Sequence, residues 1–384
     1  MAFLSGYTKR KKITIDNTYV DADLTDFPLR VRLTNDTDIG ADIDSNGYNI
    51  RFTSSDGTTE LKYERESFSV NGTPAASGAF WVKVPAIDDA TDTDIYIYYK
   101  SASPSDGQDA ANTWNSNFVA VHHLEQDPSG SAPQMLDSTA NNLDGTANAM
   151  ESGDLNGPFG WGGYGLQFDG TDSEYVSLGN VSALNFERTD AFSGSALIYT
   201  NTTAPVAQTI FGKLSLTANA YPGWGFQVFR RATLDSTSLT LFLINDAIFG
   251  RTIEVNAGAS IIAATTPYHV AFSYDGSSAA SGVKLYVNGV LQTNTVFQDN
   301  LIASMQTSVS ASIGGRHPEN PGQCFNGILD ETRISNTVRS DAWFKFEYRN
   351  IIESDNELSI GSEETGGGSS APVFVHHRKM QLIA

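Results

Sequence analysis

The stretch Lys284-Leu-Tyr-Val-Asn288-Gly289-Val-Leu-Gln292 contains two alternating runs of apolar and polar residues joined by Asn-Gly. A two-residue type I′ turn needs positive φ at both central positions, and Asn-Gly adopts that conformation readily. The stretch therefore predicts a β-hairpin. Alternation with period 2 recurs through most of the chain. Together with the hairpin, it predicts an antiparallel all-β protein.

The N-terminal part of the chain carries this alternation in a series of short runs. They are Ile13 with Ile15, Leu29 with Val31 and Leu33, Ile50 with Phe52, Leu61 with Tyr63, Phe80 with Val82 and Val84, and Ile95 with Ile97 and Tyr99. We predict a small β-sandwich at residues 1–112, whose last dozen residues form a linker rich in turn formers. The basic run Lys9-Arg-Lys-Lys12 is expected at a sheet edge, where its charges would block pairing with another sheet.

About a dozen further strand patterns follow and predict a large jelly roll at residues 113–362, with a short helix near residues 340–348. Residues 363–384 begin with a Gly/Ser linker and end in an apolar, basic peptide. The predicted fold class is all-β, with two antiparallel β-sandwich (jelly-roll) domains in tandem and a flexible C-terminal tail. Val373, Phe374 and Val375 suit docking to a partner by strand addition, and a disordered terminus is the alternative.

Composition excludes several function classes. The 384 residues include 44 acidic and 24 basic side chains, a formal charge of −20, which repels nucleic acid and anionic membranes. The single cysteine allows no intrachain disulfide, and no apolar run is long enough for membrane insertion. The start lacks a leader pattern, so either a leader was removed or the secretory route is not used.

Several blocks of the N-terminal part resemble the bacterial and phage domain of unknown function 2341, a family without assigned chemistry. They are Tyr7-Thr-Lys-Arg-Lys-Lys-Ile-Thr-Ile-Asp16, Leu24-Thr-Asp-Phe-Pro28, Tyr48-Asn-Ile-Arg-Phe52, Ala79-Phe-Trp-Val-Lys-Val84 and Ile95-Tyr-Ile-Tyr-Tyr99. The resemblance covers roughly residues 7–115.

Residues 118–362 resemble the laminin-G-like branch of the concanavalin-A-like lectin/glucanase superfamily. The blocks are Val121-His-His-Leu124, Leu166-Gln-Phe-Asp-Gly170, His269-Val-Ala-Phe-Ser-Tyr-Asp-Gly276, Leu285-Tyr-Val-Asn-Gly289 and Phe325-Asn-Gly-Ile-Leu-Asp-Glu-Thr-Arg-Ile334. The resemblance implies a jelly roll but a broad range of functions, because fold does not fix function.

Catalysis is not expected. The glucanase branch carries Glu-x-Asp-x-x-Glu on one strand, and Glu125-Gln-Asp127 begins this motif. Gly130 stands where the second glutamate belongs, and Pro128 disfavours a continuous strand. Without a second carboxyl at the right separation, glycoside hydrolysis lacks its acid–base pair.

A structural Ca²⁺ is a further expectation, because members of the superfamily often hold one with an aspartate of the final strand. Asp330 matches that aspartate and Asp169 could add an oxygen, while Asp137, Asn142 and Asp144 form a second oxygen-rich loop. The alternative is turn chemistry, in which these side chains bond their own backbone.

Carbohydrate binding is the remaining candidate activity. Lectin sites stack an aromatic ring on a sugar and hydrogen-bond its hydroxyl groups. We therefore nominate the polar and aromatic residues of three loops, with core or rim packing as the alternative: Trp161, Tyr221, Trp224, Arg316 and His317.

Taken together, these patterns predict a non-enzymatic structural or adhesion protein of a phage virion: a capsid decoration, head fibre or tail-associated protein with weak glycan binding. Its partners would be other virion proteins of the capsid or tail, further copies of itself, and host-surface glycans. The alternative is a secreted or cell-surface bacterial adhesion module, and a glycoside hydrolase is less favoured.

Overall fold

The alternating runs of the sequence form β-strands. The part of the chain that the computed structural model describes contains 24 strands and three α-helices. The described residues are 2–103, 105–115, 117–159, 163–171, 173–202, 207–216, 220–231, 236–258, 261–316, 323–352 and 356–366, with only the backbone at 158, 159, 231 and 236. The strands form four sheets. The predicted all-β sandwich architecture is confirmed.

The first sandwich packs a five-stranded sheet against a three-stranded sheet. The five-stranded sheet has the order β24-β1-β7-β3-β4 and consists of β1 (Tyr7–Ile15), β3 (Arg51–Ser54), β4 (Glu60–Leu61), β7 (Thr93–Ser101) and β24 (Leu358–Thr365). The three-stranded sheet has the order β2-β6-β5 and consists of β2 (Leu24–Asp36), β5 (Tyr63–Val70) and β6 (Ala76–Ile87). Two short helices accompany them, α1 (Thr37–Asp42) and α2 (Ala110–Thr113).

The C-terminal strand β24 returns to the first sandwich and pairs with β1, with Ile13 opposite Ile360. The predicted boundary between residues 362 and 363 is therefore wrong, because residues 358–365 belong to the N-terminal sheet. The edge role of the basic run is also wrong, since β1 lies between β24 and β7. Arg10 is buried and forms an ion pair of 2.7 Å with Glu364, so the returning strand supplies the charge that the basic run needs.

The second sandwich packs two eight-stranded sheets. The junction sheet, which faces the first sandwich, has the order β10-β11-β23-β13-β18-β19-β20 with β8 beside β23. Its strands are β8 (Phe118–His122), β10 (Leu155–Phe159), β11 (Gly163–Asp169), β13 (Phe192–Thr200), β18 (Pro267–Tyr274), β19 (Val283–Val287), β20 (Val290–Leu291) and β23 (Asn326–Ser335).

The distal sheet forms the other layer and has the order β21-β17-β16-β15-β14-β22-β12-β9. Its strands are β9 (Thr146–Asn148), β12 (Tyr175–Gly179), β14 (Ala207–Leu214), β15 (Gly223–Arg231), β16 (Ser236–Asp246), β17 (Arg251–Ala257), β21 (Asn294–Asp299) and β22 (Ala311–Ile313). The predicted hairpin joins β19 to β20, and Asn288 and Gly289 have φ angles of 49° and 71°. Both angles are positive, as a type I′ turn requires.

Helix α3 (Asp341–Ile351) packs between the two sandwiches and confirms the short helix predicted there. Ser340 caps its N-terminus by accepting a hydrogen bond from the backbone N–H of Trp343. On one side of the helix, the ring centre of Phe346 lies 5.1 Å from that of Phe27 in the first sandwich. On the other side, the ring centre of Phe344 lies 4.7 Å from that of Tyr286 in the junction sheet. The apolar core of the first sandwich therefore continues through α3 to the second.

The amide of Asn350 attaches α3 to the edge of β2. Its Oδ1 accepts a hydrogen bond of 2.6 Å from the backbone N–H of Arg30, and its Nδ2 donates one of 3.0 Å to the Arg30 carbonyl. Because β2 is an edge strand, these bonds satisfy backbone groups that another strand would otherwise satisfy. None of the helices among the described residues has the length and hydropathy needed to cross a bilayer.

Phe346→Ala should lower the free energy of unfolding by about 3–5 kcal/mol, because it leaves a cavity in the core shared by both sandwiches. Urea denaturation followed by tryptophan fluorescence measures the change. Val338→Ala is the control, since Val338 is 45% exposed and should change stability by less than about 0.5 kcal/mol. Equal stability of the two variants would contradict the role assigned to α3.

Candidate functional site

The outer face of the distal sheet carries rows of polar side chains. Strands β15, β16 and β17 pair in a register that places Gln227 opposite Thr240 and Thr240 opposite Asn256. The residues that alternate with them, such as Phe226 and Leu241, point into the core between the sheets. The core positions therefore determine which side chains the outer face presents.

A pocket of about 200 Å³ opens on this face. Side chains from strands β14 to β17 and β21 line it, together with residues from the neighbouring loops. The lining residues are Leu214, Tyr221, Gln227, Phe242, Ile244, Ala247, Thr252, Glu254, Gln298, Arg316 and Gln323. The pocket thus combines aromatic rings with amide, hydroxyl and charged groups, the composition of a site for a polar organic ligand.

Arg316 and Tyr221 form one wall of the pocket. The guanidinium carbon of Arg316 lies 4.0 Å from the centre of the Tyr221 ring, within cation–π distance. Tyr221 has a φ of 53°, an uncommon backbone conformation for a tyrosine. Burial lowers the pKa of Arg316, against the opposing effect of Tyr221.

Gln227 is fixed in position by two neighbours. Its Nε2 donates hydrogen bonds of 3.1 Å to Thr209 Oγ1 and 3.2 Å to Gln323 Oε1. The backbone N–H of Thr209 also donates to the Gln323 carbonyl over 2.9 Å. These bonds connect the floor to the loop beside it, so this part of the pocket is organised before any ligand arrives.

Several buried polar atoms on this face have no hydrogen-bond partner among the described residues. Thr252 Oγ1 and Arg316 Nε belong to the pocket lining, and Thr240 Oγ1 and Asn256 Oδ1 lie in the adjoining row. A buried polar group without a partner costs about 1–3 kcal/mol, and most such groups are satisfied by protein, water or ligand. The two such atoms in the pocket lining are groups that a hydroxyl-rich molecule would complement.

The nominated sugar-binding residues separate into three groups. Tyr221 and Arg316 lie together in the pocket. Trp161 and His317 lie outside the described residues. Trp224 lies in the core, 1% exposed, with its Nε1 donating to the Leu184 carbonyl over 3.0 Å. Its prediction as a stacking residue is wrong because, one residue after Gly223, its side chain takes the inward direction of β15.

Four further lining residues were not among those nominated for sugar binding: Gln227, Phe242, Thr252 and Glu254. All four lie on outward positions of β15, β16 and β17, next to inward apolar residues in the sequence. Alternation along these strands would have separated the two faces. Only the sheet order shows that the outward residues of three strands meet in one pocket.

The nominated calcium ligands occupy three different places. Asp137, Asn142 and Asp144 share one loop, where the carboxylate of Asp137 accepts from the backbone N–H groups of Val121, Thr139 and Leu143. Asp169 pairs with Asn326 on the β11–β23 ladder, four residues along β23 from Asp330 and therefore roughly 13 Å away. The five residues do not form one coordination sphere, and calcium binding stays a prediction.

Asp330 lies in the buried junction between the sandwiches. Burial, together with the carboxylates of Glu331 and Glu125, raises the pKa of Asp330 well above its ordinary value. That environment favours the neutral carboxyl group, whereas Ca²⁺ prefers ionised oxygen ligands.

A chain of buried ion pairs crosses this junction. Arg333 of β23 contacts Glu347 of α3 at 2.8 Å and Glu331 at 2.7 Å. Glu331 contacts His123 at 2.8 Å, and His123 contacts Glu64 of β5 at 3.3 Å. Burial lowers the pKa of His123, but Glu331 and Glu64 outweigh burial and raise it, so the imidazole is charged at neutral pH.

Glu66, His123 and Glu331 come close enough together to hold a metal ion. However, Glu66 forms an ion pair of 2.5 Å with Arg30, and Glu331 is paired with Arg333. With His123 also positively charged, three cationic groups already neutralise these carboxylates. The junction therefore holds the domains together and does not suit a cation.

Comparison with known families agrees with the two-part organisation of the chain. Residues 46–129 match a domain of unknown function (DUF2341). Residues 169–343 match the family described as the concanavalin A-like lectin/glucanases superfamily. The chain is therefore similar to these two families in succession, and the matched parts are called the DUF2341 region and the concanavalin A-like region below. Both resemblances inferred from the sequence are confirmed, in the predicted order. No curated protein matches the sequence.

Several solved structures are similar to part of the chain at low identity. The binding domain of Paraclostridial Mosquitocidal Protein 1 is 12% identical, with a TM-score of 0.46 over 62% of this chain and 53% of that chain. The Ruminococcus gnavus IT-sialidase CBM40 bound to α2,3-sialyllactose is 14% identical, with a TM-score of 0.38 over 48% of this chain and 95% of that chain. The botulinum neurotoxin serotype G binding domain is 11% identical, with a TM-score of 0.41 over 60% and 50% of the two chains. The chain spans about half the length of these toxin domains, and similarity this low carries no functional information.

Glu125→Gln should make stability less dependent on pH. Burial and the carboxylate of Glu66 raise the pKa of Glu125 to about 8, from an ordinary value of 4.5. Between these values the folded protein holds a proton that the unfolded chain releases, so this group makes stability fall as pH rises. Between pH 4.5 and pH 9, the free energy of unfolding of the wild type should fall by roughly 2 kcal/mol more than that of the variant.

Urea denaturation at both pH values measures this difference. Glu151→Gln is the matched control, because Glu151 is exposed and should leave the pH profile unchanged. A wild-type pH profile in Glu125→Gln would contradict the buried environment assigned to this carboxyl group.

Proposed function

We propose that this chain is a non-catalytic adhesion protein that binds carbohydrate in the pocket of its concanavalin A-like region. The observation that carries the proposal is the pocket itself. An aromatic wall stands beside buried polar atoms that have no partner among the described residues, Thr252 Oγ1 and Arg316 Nε. A sugar offers both surfaces that this arrangement requires, a C–H face for the rings and hydroxyl groups for the polar atoms.

The pocket geometry suits one terminal sugar ring. Its volume of about 200 Å³ is below the roughly 300–1,000 Å³ of typical small-molecule sites. Tyr221 and Phe242 can contact the apolar face of the ring, while Gln298 and Gln323 can exchange hydrogen bonds with its hydroxyl groups. Because few groups contact such a small ligand, we expect weak single-site affinity, which multiple copies would raise through avidity.

The placement of Glu125 and Asp127 supports a binding role over glycoside hydrolysis. Strand β8 ends at His122, so neither residue lies on a regular strand face. Glu125 is directed into the junction, where it bonds Glu66, and Asp127 accepts hydrogen bonds from Ser129 and Ser152 in an exposed turn. A glycosidase needs two carboxyl groups about 5–9.5 Å apart across an accessible sugar, and these side chains do not face one cleft.

Display on a phage particle stays a prediction, as does the alternative of a bacterial surface. Val373, Phe374 and Val375 of the proposed docking peptide lie outside the described residues. Mass spectrometry of purified particles tests the virion assignment. Detection of the chain at structural copy number supports it, and finding the chain only in secreted or cell-wall fractions contradicts it.

Tyr221→Ala should weaken carbohydrate binding at least tenfold, a loss of about 1.4 kcal/mol, because it removes the aromatic wall and the ring that holds Arg316. A glycan array with the wild-type protein identifies the ligand, and calorimetry with that glycan measures the change. Tyr164→Ala is the matched control, since Tyr164 is 52% exposed on β11 of the junction sheet. Unchanged binding in Tyr221→Ala would refute this pocket as the binding site.

A further inference from the structure

The charge of Arg316 is handled differently from that of the arginines in the ion pairs described above. Arg10, Arg30 and Arg333 are buried, and each contacts a carboxylate at 2.5–2.8 Å. Arg316 is 9% exposed, and no carboxylate of the described residues forms an ion pair with it. Its guanidinium lies over the Tyr221 ring. The structure thus places a nearly buried guanidinium in the pocket wall, with no carboxylate of the described residues as its partner.

Glu254 lines the same pocket but does not neutralise Arg316. Among the described residues, burial lowers the pKa of Arg316 and Tyr221 opposes that effect. The positive charge of Arg316 therefore belongs to the wall that it forms with Tyr221.

A buried guanidinium without a counter-ion costs more free energy than a neutral polar group does. Guanidinium groups bind carboxylate and sulfate groups through short charge-assisted hydrogen bonds, often two in parallel. Arg316 Nε has no acceptor among the described residues, so at least one such bond can form. A ligand with an anionic group at this wall would satisfy both the charge and the donor.

We propose that the pocket selects acidic sugars, with a carboxylate or sulfate group on the terminal ring paired to Arg316 and the ring face against Tyr221. This inference rests on the proposed carbohydrate-binding function and adds the ligand class. The formal charge of −20 repels anions at a distance. Selectivity for acidic sugars must therefore come from the local contact with Arg316.

Calorimetry with matched sugars tests the proposal. Lactose is the neutral probe, and 3′-sulfolactose and α2,3-sialyllactose carry a sulfate or a carboxylate on the same core. The wild type should bind one acidic probe at least tenfold more tightly than lactose, and the probe that binds identifies the anionic group. Arg316→Gln should remove this preference, and Arg316→Lys should retain part of it because the charge remains without the planar donor pair.

Arg251→Gln is the matched control, since it removes the same charge from the neighbouring strand β17. Arg251 lies over the ring of Phe249, outside the pocket lining. The Arg251→Gln variant should keep the wild-type preference for acidic probes. Circular dichroism and thermal melting verify that each variant is folded. If Arg316→Gln does not fold, the test uses Arg316→Lys, in which a reduced preference for acidic probes would support the proposal.

The outcomes separate the inference from the proposed function. Wild-type protein that binds lactose and the acidic probes equally, or Arg316 variants that keep the full acidic preference, would overturn the inference and leave carbohydrate binding intact. Wild-type protein that binds neither these probes nor any glycan of an array would overturn both.

Discussion

Alternation of side chains along β14 to β17 is the constraint on which the proposed site depends. Each apolar residue that enters the core between the two eight-stranded sheets sends its neighbours to the outer face. Phe226 and Leu241 enter the core, and the register of the strands then aligns Gln227 with Thr240. A one-residue shift would turn these polar side chains into the apolar core and turn the aromatic core residues to the outer face. The stability of the sandwich and the composition of the pocket are thus two consequences of one pattern.

The first sandwich and α3 cover the other sheet. Phe344 and Phe346 contact opposite sides of the junction, while Arg333 links β23 to α3 through Glu347. Removing one partner of such a buried pair leaves an uncompensated charge, which makes the junction sensitive to substitution. The junction sheet is therefore covered by the first sandwich and α3, whereas the pocket lies on the distal sheet.

Local patterns in the sequence were sufficient for the strands, the type I′ hairpin and the helix near residue 340, because these features depend on neighbouring residues. The return of β24 to β1 was not predictable in this way. Residues 358–365 read as the end of the second domain, and only the register shows Glu364 beside Arg10. Tyr221 and Arg316 were recognised as loop residues of suitable chemistry. Trp224 was misassigned because one residue of shift decides whether an aromatic ring faces the core or the surface. Thr252 and Glu254 belong to the site through sheet order, which is a long-range property.

The decisive measurement is a crystal structure of the protein, from crystals soaked with the acidic oligosaccharide that binds best. We expect a sugar ring against Tyr221 on the outer face of the distal sheet, with its anionic group in hydrogen-bond contact with Arg316. A sugar bound at another surface, with only water in the Tyr221–Arg316 pocket, would refute the proposed site.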